Sequence, residues 1–188
     1  MRKVIVYELL SLDGVAEAPE TFFGWDDAMD ANLAALIATQ DAVILGRRTH
    51  DEWSEFWPGP GNEILPFAPF INTVTKHIAT SKPLDRAWAN ASVIDGPLVD
   101  FVRLLKGQPG GDIGVHGSIS VAQSLLAADL VDELRVVIGP MVAGRGRRLL
   151  DATPSGKLEL IGSSTSPAGY LLADYRVLRV SVEPFPER

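Results

Sequence analysis

The chain has 188 residues, 46% of them hydrophobic, with a formal net charge of −7 and no cysteine. That length and apolar content suit one folded domain spanning residues 1–188, with a core of its own, and argue against disorder. The negative charge argues against a nucleic-acid partner, and the missing thiols exclude disulfides, thiolate metal sites and a cysteine nucleophile. A reducing cytoplasm fits this composition. No apolar run is long enough to span a bilayer, and the three histidines show no metal-ligand spacing.

In chain order, residues 3–10 form a nearly continuous apolar strand, the pattern of a central strand buried on both faces. Ser11-Leu12-Asp13-Gly14 ends it in a turn. Residues 15–24 read as a loop. It carries Pro19, Phe22 and Phe23, with Trp25 just beyond, and a loop this apolar covers either the core or a ligand pocket. Residues 26–39 form a helix whose buried stripe is Met29, Leu33, Leu36 and Ile37. Asp26 and Asp27 suit its first turn, and Asp30 lies one step from the stripe.

Residues 42–45 form a short buried strand, followed by Gly46-Arg47-Arg48-Thr49. A glycine, two guanidinium groups and a hydroxyl at a strand end suit a phosphate, and also a solvated basic turn. Residues 50–57 form a short helix that Pro58-Gly59-Pro60-Gly61 breaks, and residues 67–75 fit either helix or strand. Residues 76–79 form a strand ending in Thr80-Ser81-Lys82-Pro83, a second end offering hydroxyls and a cation. Another short strand lies within 88–94, and Leu98, Phe101, Val102 and Leu105 mark an amphipathic helix.

The segment from Ile113 organises the rest. A strand over 113–115 turns on Gly117-Ser118 into a helix with Val121, Leu125 and Ala128 on one face, capped by Ser118 or Ser120. A strand over 133–138 follows. Strand, small-residue turn, helix, strand is a βαβ unit, which demands a mostly parallel sheet and an α/β fold. The helix start presents unpaired N–H groups of the kind that bind phosphate, although a ligand-free βα turn has the same sequence. Residues 139–148, with three arginines among glycines, suggest a mobile basic loop. Residues 157–165 and 170–182 form an antiparallel C-terminal hairpin joined by Ser166-Pro167-Ala168-Gly169. Leu178, Val180 and Val182 alternate with Arg179 and Ser181, which places the last strand near a sheet edge, and Pro184 and Pro186 stop it.

These pieces, in this order, resemble the dihydrofolate reductase-like fold, and most of all the stand-alone relatives of the C-terminal reductase domain of bacterial riboflavin biosynthesis. The resemblance is carried by Ser11-Leu12-Asp13-Gly14, Leu45-Gly46-Arg47-Arg48-Thr49, Ala79-Thr80-Ser81-Lys82, Val115-His116-Gly117-Ser118, Leu130-Val131-Asp132-Glu133-Leu134 and the stretch from Gly139 to Gly146. It implies a mostly parallel central sheet flanked by helices, and an NADPH-dependent reductase of a pterin-like or aminopyrimidine-like small molecule. Gly46, Arg47, Arg48 and Thr49 would then approach the pyrophosphate and adenosine phosphate. Thr80, Ser81 and Lys82 would hold the adenosine end, and Gly117 and Ser118 the diphosphate. Where the family often has Gly-Gly, this chain has Gly117-Ser118.

Counting back sixteen residues from Gly46 reaches Asp30, which matches the carboxylate that anchors the pterin and assists its protonation in dihydrofolate reductases. Tyr7, Leu9 and Trp25 would line the ring pocket on the same resemblance. It also makes a homodimer plausible, with the last strand as its exposed edge. The alternatives are a non-catalytic NADP(H)-binding protein of the same fold and a structural dimer subunit.

Overall fold

The computed structural model describes residues 1–151 and 153–178. Its strands are β1 (Val4–Ser11), β2 (Gln40–Gly46), β3 (Thr75–Ala79), β4 (Ala91–Val93), β5 (Asp112–Val115), β6 (Glu133–Gly139), β7 (Lys157–Thr165) and β8 (Leu171–Leu178). Its helices are α1 (Asp27–Ile37), α2 (Arg47–Phe56), α3 (Ala68–Thr73), α4 (Leu98–Gly107) and α5 (Ile119–Ala127). The strands form a single sheet in the order β4-β3-β2-β5-β1-β6-β8-β7. The six from β4 to β6 run parallel, and β8 and β7 are antiparallel additions. The α/β sheet with its C-terminal hairpin is the architecture expected from the sequence.

The central parallel strands β1, β2 and β5 are buried on both sides because helices cover both faces. On one face Val4, Val6 and Leu10 of β1 pack with Val102 and Leu105 of α4 and Val121 and Leu125 of α5. On the other, Ile5 and Tyr7 pack with Met29, Leu33 and Leu36 of α1 and Ile71 of α3. The ambiguous stretch 67–75 resolves as helix α3 followed by the start of β3. Ile71 fixes the choice, since it is fully buried beneath the sheet in helical geometry.

Two expectations change. The final strand is not the edge: β8 lies between β6 and β7, so β7 is the edge strand at that end of the sheet among the described residues. The hairpin turn folds β7 outward because β8 takes the ladder beside β6. Val180, Val182, Arg179, Ser181, Pro184 and Pro186 lie outside the described residues. The basic loop after β6 is tied down. Asp13 accepts the N–H groups of Ala143 and Gly144 at 2.9 and 3.0 Å, and Arg148 Nε donates to the Asp13 carbonyl at 2.8 Å. The Ser11 hydroxyl and these amides hold the Asp13 carboxyl down at about 2, so it stays charged as the loop's anchor.

Candidate active site

The C-terminal ends of the parallel strands share one edge, and two kinds of surface meet there. The first is a cavity of about 430 Å³, within the range of small-molecule sites. Its walls come from β1 (Tyr7, Glu8, Leu9), the segment entering α1 (Pro19, Trp25), α1 (Asp30, Leu33), α2 and the residue after it (Trp53, Phe56, Trp57), the approach to α3 (Leu65, Pro66, Phe67) and His116 after β5. Trp53 and Trp57 are one helical turn apart, so α2 presents both to the same space, and Trp57 packs edge-on against Phe67 at 5.1 Å.

The lining is apolar, but several lining residues carry polar groups. Trp25 Nε1 donates to Asp30 Oδ1 at 2.6 Å, which fixes the carboxylate at the cavity wall. Asp26 caps α1 by accepting the Met29 N–H at 3.0 Å, and so sets where the helix begins and which way Asp30 points. The Tyr7 hydroxyl, Glu8 Oε1 and Trp57 Nε1 have no hydrogen-bond partner among the described residues. Burial pushes the Tyr7 hydroxyl above its ordinary range and lifts the Glu8 carboxyl to about 8, so both are neutral donors at pH 7. Burial pushes His116 down to about 4, leaving a neutral imidazole whose Nε2 donates to Gln40 Oε1 at 2.7 Å. Gly114 makes that pair possible: a Cβ there would lie 2.1 Å from Gln40 Oε1 and 2.8 Å from His116 Nε2.

The second surface is a pair of helix starts. α2 begins directly after β2 and α5 directly after β5, and these strands are neighbours. Neither helix has a side-chain cap, so their first N–H groups stay open to the edge. Ser118 sits at the cap position of α5 but does not cap it, contrary to expectation, and Ser120 lies inside the helix. The Ser118 Oγ is 3.4 Å from the Ser120 hydroxyl and packs over Gly46, where a Cβ would come within 2.1 Å of it. A Cβ on Gly117 would lie 3.5 Å from Thr49 Oγ1. The two turns therefore form one surface. The Gly117–Ser118 peptide is cis.

Thr80 and Ser81 line a separate hollow of about 460 Å³ with Ala79, Ile94, Gly96 and Leu98. Lys82 is not part of its wall; its N–H donates to Thr80 Oγ1 at 3.1 Å. Arg47 lies at the α2 start, where Asp51 accepts from Nε at 3.2 Å, the Pro83 carbonyl accepts at 2.6 Å and Asp85 pairs with Nη2. Arg48 is exposed and bridges Glu52 at 3.0 Å and Glu17 at 3.7 Å. The fold thus gathers Tyr7, Leu9, Trp25 and Asp30 in one cavity. It gathers Gly46, Arg47, Thr49, Gly117 and Ser118 at the paired helix starts, and leaves Arg48 and Lys82 to one side.

Sequence reasoning passed over Glu8, Trp53, Trp57 and His116. Glu8 did leave a signal: it is a single acid inside the run Val-Ile-Val-Tyr-Glu-Leu-Leu, where a buried strand has no place for an unpaired charge. The two tryptophans carried only an i, i+4 spacing, which core packing explains equally well.

The model for the RibD C-terminal domain matches residues 2–172. The chain is 26% identical over 182 residues to the uncharacterized protein YyaP of Bacillus subtilis (strain 168), covering 93% of this chain and 94% of that protein. It superposes with a TM-score of 0.72 and 20% identity on a protein assigned to riboflavin biosynthesis from Shewanella sp. PV-4, covering 94% and 99% of the two chains. A dihydrofolate reductase from Enterococcus faecalis, solved with NADP(H), superposes with a TM-score of 0.62 and 14% identity over 93% and 96%. The fold is therefore dihydrofolate reductase-like, and the chain belongs to the RibD C-terminal domain family, the reductase domain of riboflavin biosynthesis.

Proposed function

We propose that the protein is an NADPH-dependent reductase of a small pterin-like or aminopyrimidine-like heterocycle. One observation carries this reading. An aromatic cavity, whose lining residues Tyr7, Glu8 and Trp57 each carry a buried polar atom with no partner among the described residues, adjoins two uncapped helix starts on the same strand edge. Flat aromatic walls suit a planar ring, and buried polar atoms without partners cost free energy until a ligand supplies them. Open N–H groups at paired helix starts suit a pyrophosphate.

The donor set fits NADPH. Gly117 leaves the backbone bare at the α5 start, Gly46 makes room for Ser118, and Ser118 and Thr49 offer hydroxyls there. Thr80 and Ser81 would hold the adenosine end in the second hollow. Arg47 would meet the 2′-phosphate by exchanging Asp85 for it. Bound there, the cofactor supplies a hydride. Every other task falls to the chain. Trp25, Trp53 and Trp57 exclude water and clamp the substrate ring. Asp30, steadied by Trp25, holds a ring nitrogen and passes it the proton that must accompany hydride addition to a C=N bond. The exposed Leu158 and Leu160 on the edge strand β7 make it the surface on which we expect two copies to associate, to be checked by sedimentation velocity.

The test is titration with NADPH and NADH, followed by tryptophan fluorescence, because three of the four tryptophans line the cavity. NADPH-selective binding that Arg47→Ala weakens more for NADPH than for NADH supports the reading. Binding of neither nucleotide refutes it, and binding without oxidation across a panel of reducible pterins and aminopyrimidines refutes the catalytic part.

A further inference from the structure

Glu8 lies in the middle of the central strand, and the chemistry proposed above does not use it. Alternation along β1 sends Tyr7 toward the α1 face, so the Glu8 side chain turns to the α5 face, with Val6 and Leu10. Register sets its depth. Val6 is the last residue of β1 paired with β5, opposite Val115, so Glu8 lies two residues beyond, level with the Gly117 turn that opens α5. On its other side it pairs with Val136 of β6. The residue is only 9% exposed, lines the aromatic cavity, and carries an oxygen with no partner among the described residues. It therefore stands in the gap between the ring cavity and the helix starts. Asp30, by contrast, is on α1, which covers the other face of the sheet.

We propose that Glu8 recognises the carboxamide on the nicotinamide ring of the cofactor, through a paired donor and acceptor contact with its carboxyl group. The proposal rests on the NADPH reading above. A carboxylate could only accept from the amide NH2. The neutral acid, favoured by burial with no charged neighbour contributing, matches both amide atoms: its O–H donates to the amide carbonyl and its C=O accepts from the NH2. The α5 start, which would hold the pyrophosphate, lies on one side of Glu8, and the cavity that would take the substrate ring lies on the other. Glu8 thus acts as a specificity-determining residue that orients the ring.

The experiment is a two-by-two comparison of affinities, read by fluorescence titration. The ligands are NADPH and its reduced 3-acetylpyridine analogue, in which an acetyl group replaces the carboxamide. The proteins are the wild type and Glu8→Leu, with Glu8→Val in its place if the leucine variant fails to fold. The expected result is that Glu8→Leu weakens both ligands but NADPH about tenfold more than the analogue, which keeps the carbonyl for the Glu8 O–H and lacks only the NH2, so the difference is the coupling of one good hydrogen bond. Glu8→Gln, which keeps a donor and an acceptor, should stay within about threefold of wild type for NADPH. Equal losses for both ligands in the apolar variant would overturn the Glu8 role while leaving NADPH binding intact. A wild type that binds neither ligand would overturn the cofactor reading and this proposal with it.

Discussion

Glu8→Gln should stabilise the folded protein, and by an amount that grows with pH. In the unfolded chain the carboxyl titrates near its ordinary 4.5; in the fold, burial moves it to about 8. Between those values the folded protein keeps a proton that the unfolded chain has released, so its stability falls as pH rises. The contribution is fully present below 4.5 and fully lost above 8. At about 1.4 kcal/mol per pH unit, it costs the wild type about 3 kcal/mol at pH 7 and about 5 above pH 8. Glutamine fills the same volume and carries no such cost. His116 runs the other way. Its folded value of about 4 lies below the ordinary 6.5, so its stabilisation is present above 6.5 and lost as pH falls toward 4. The two slopes oppose each other between about 4.5 and 6.5, and the Glu8 slope is left alone from there to 8.

Urea denaturation of wild type and Glu8→Gln at pH 5, 6, 7 and 8 reads the difference directly, since every other group cancels between the two proteins. The gap should widen from under about 1 kcal/mol at pH 5 to over about 3 at pH 8. Parallel curves across that range would refute a buried neutral carboxyl at position 8. An offset that does not change with pH would be a packing effect of the glutamine and would not rescue the reasoning.

Gly46→Ala places a Cβ against Ser118 Oγ and should loosen NADPH at least about tenfold while the fold survives, which titration and circular dichroism together would show. Asp85→Asn releases Arg47 from its exposed pairing; NADPH should tighten about threefold at low salt, NADH should not change, and the gain should fade as ionic strength rises. Lys76→Met strips the buried ammonium from the Ile71 and Val74 carbonyls, each 2.8 Å away, and should cost about 2–4 kcal/mol, seen as a fall of several degrees in the unfolding midpoint.

Sequence periodicity was enough for the parallel sheet, since each βα junction carries its own glycine and each strand its own apolar run. It could not order the hairpin, because β7 and β8 have similar lengths and alternation, and only the vacant ladder beside β6 decides which of them sits inside. The helix starts were legible at Gly46 and Gly117 for the same local reason. Their contact was not, because Ser118 meets Gly46 across neighbouring strands far apart in sequence. The turn after β3 was legible as a source of hydroxyls and a cation, but not the bond that closes it, from the Lys82 N–H to Thr80 Oγ1, which sets Thr80 and Ser81 at the hollow. The cavity's α2 wall was hidden because tryptophans at helical spacing carry no mark that separates a ligand wall from a core.

The two halves of the site obey different rules. The helix starts are built from backbone geometry, which the fold dictates wherever a small residue ends a parallel strand, so they belong to the architecture as a whole. The cavity is built from side chains on β1, α1, α2 and the approach to α3, and its polar choices reduce to Tyr7, Glu8, Asp30 and Trp57 in an apolar frame. A ring is selected where a buried donor or acceptor would otherwise go unpartnered, since that penalty discriminates far more sharply than added apolar contact. Changes at those four positions should therefore alter which heterocycle is reduced while leaving the nucleotide affinity set by Gly46, Gly117 and Thr49 untouched, Glu8 excepted. It alone faces both halves.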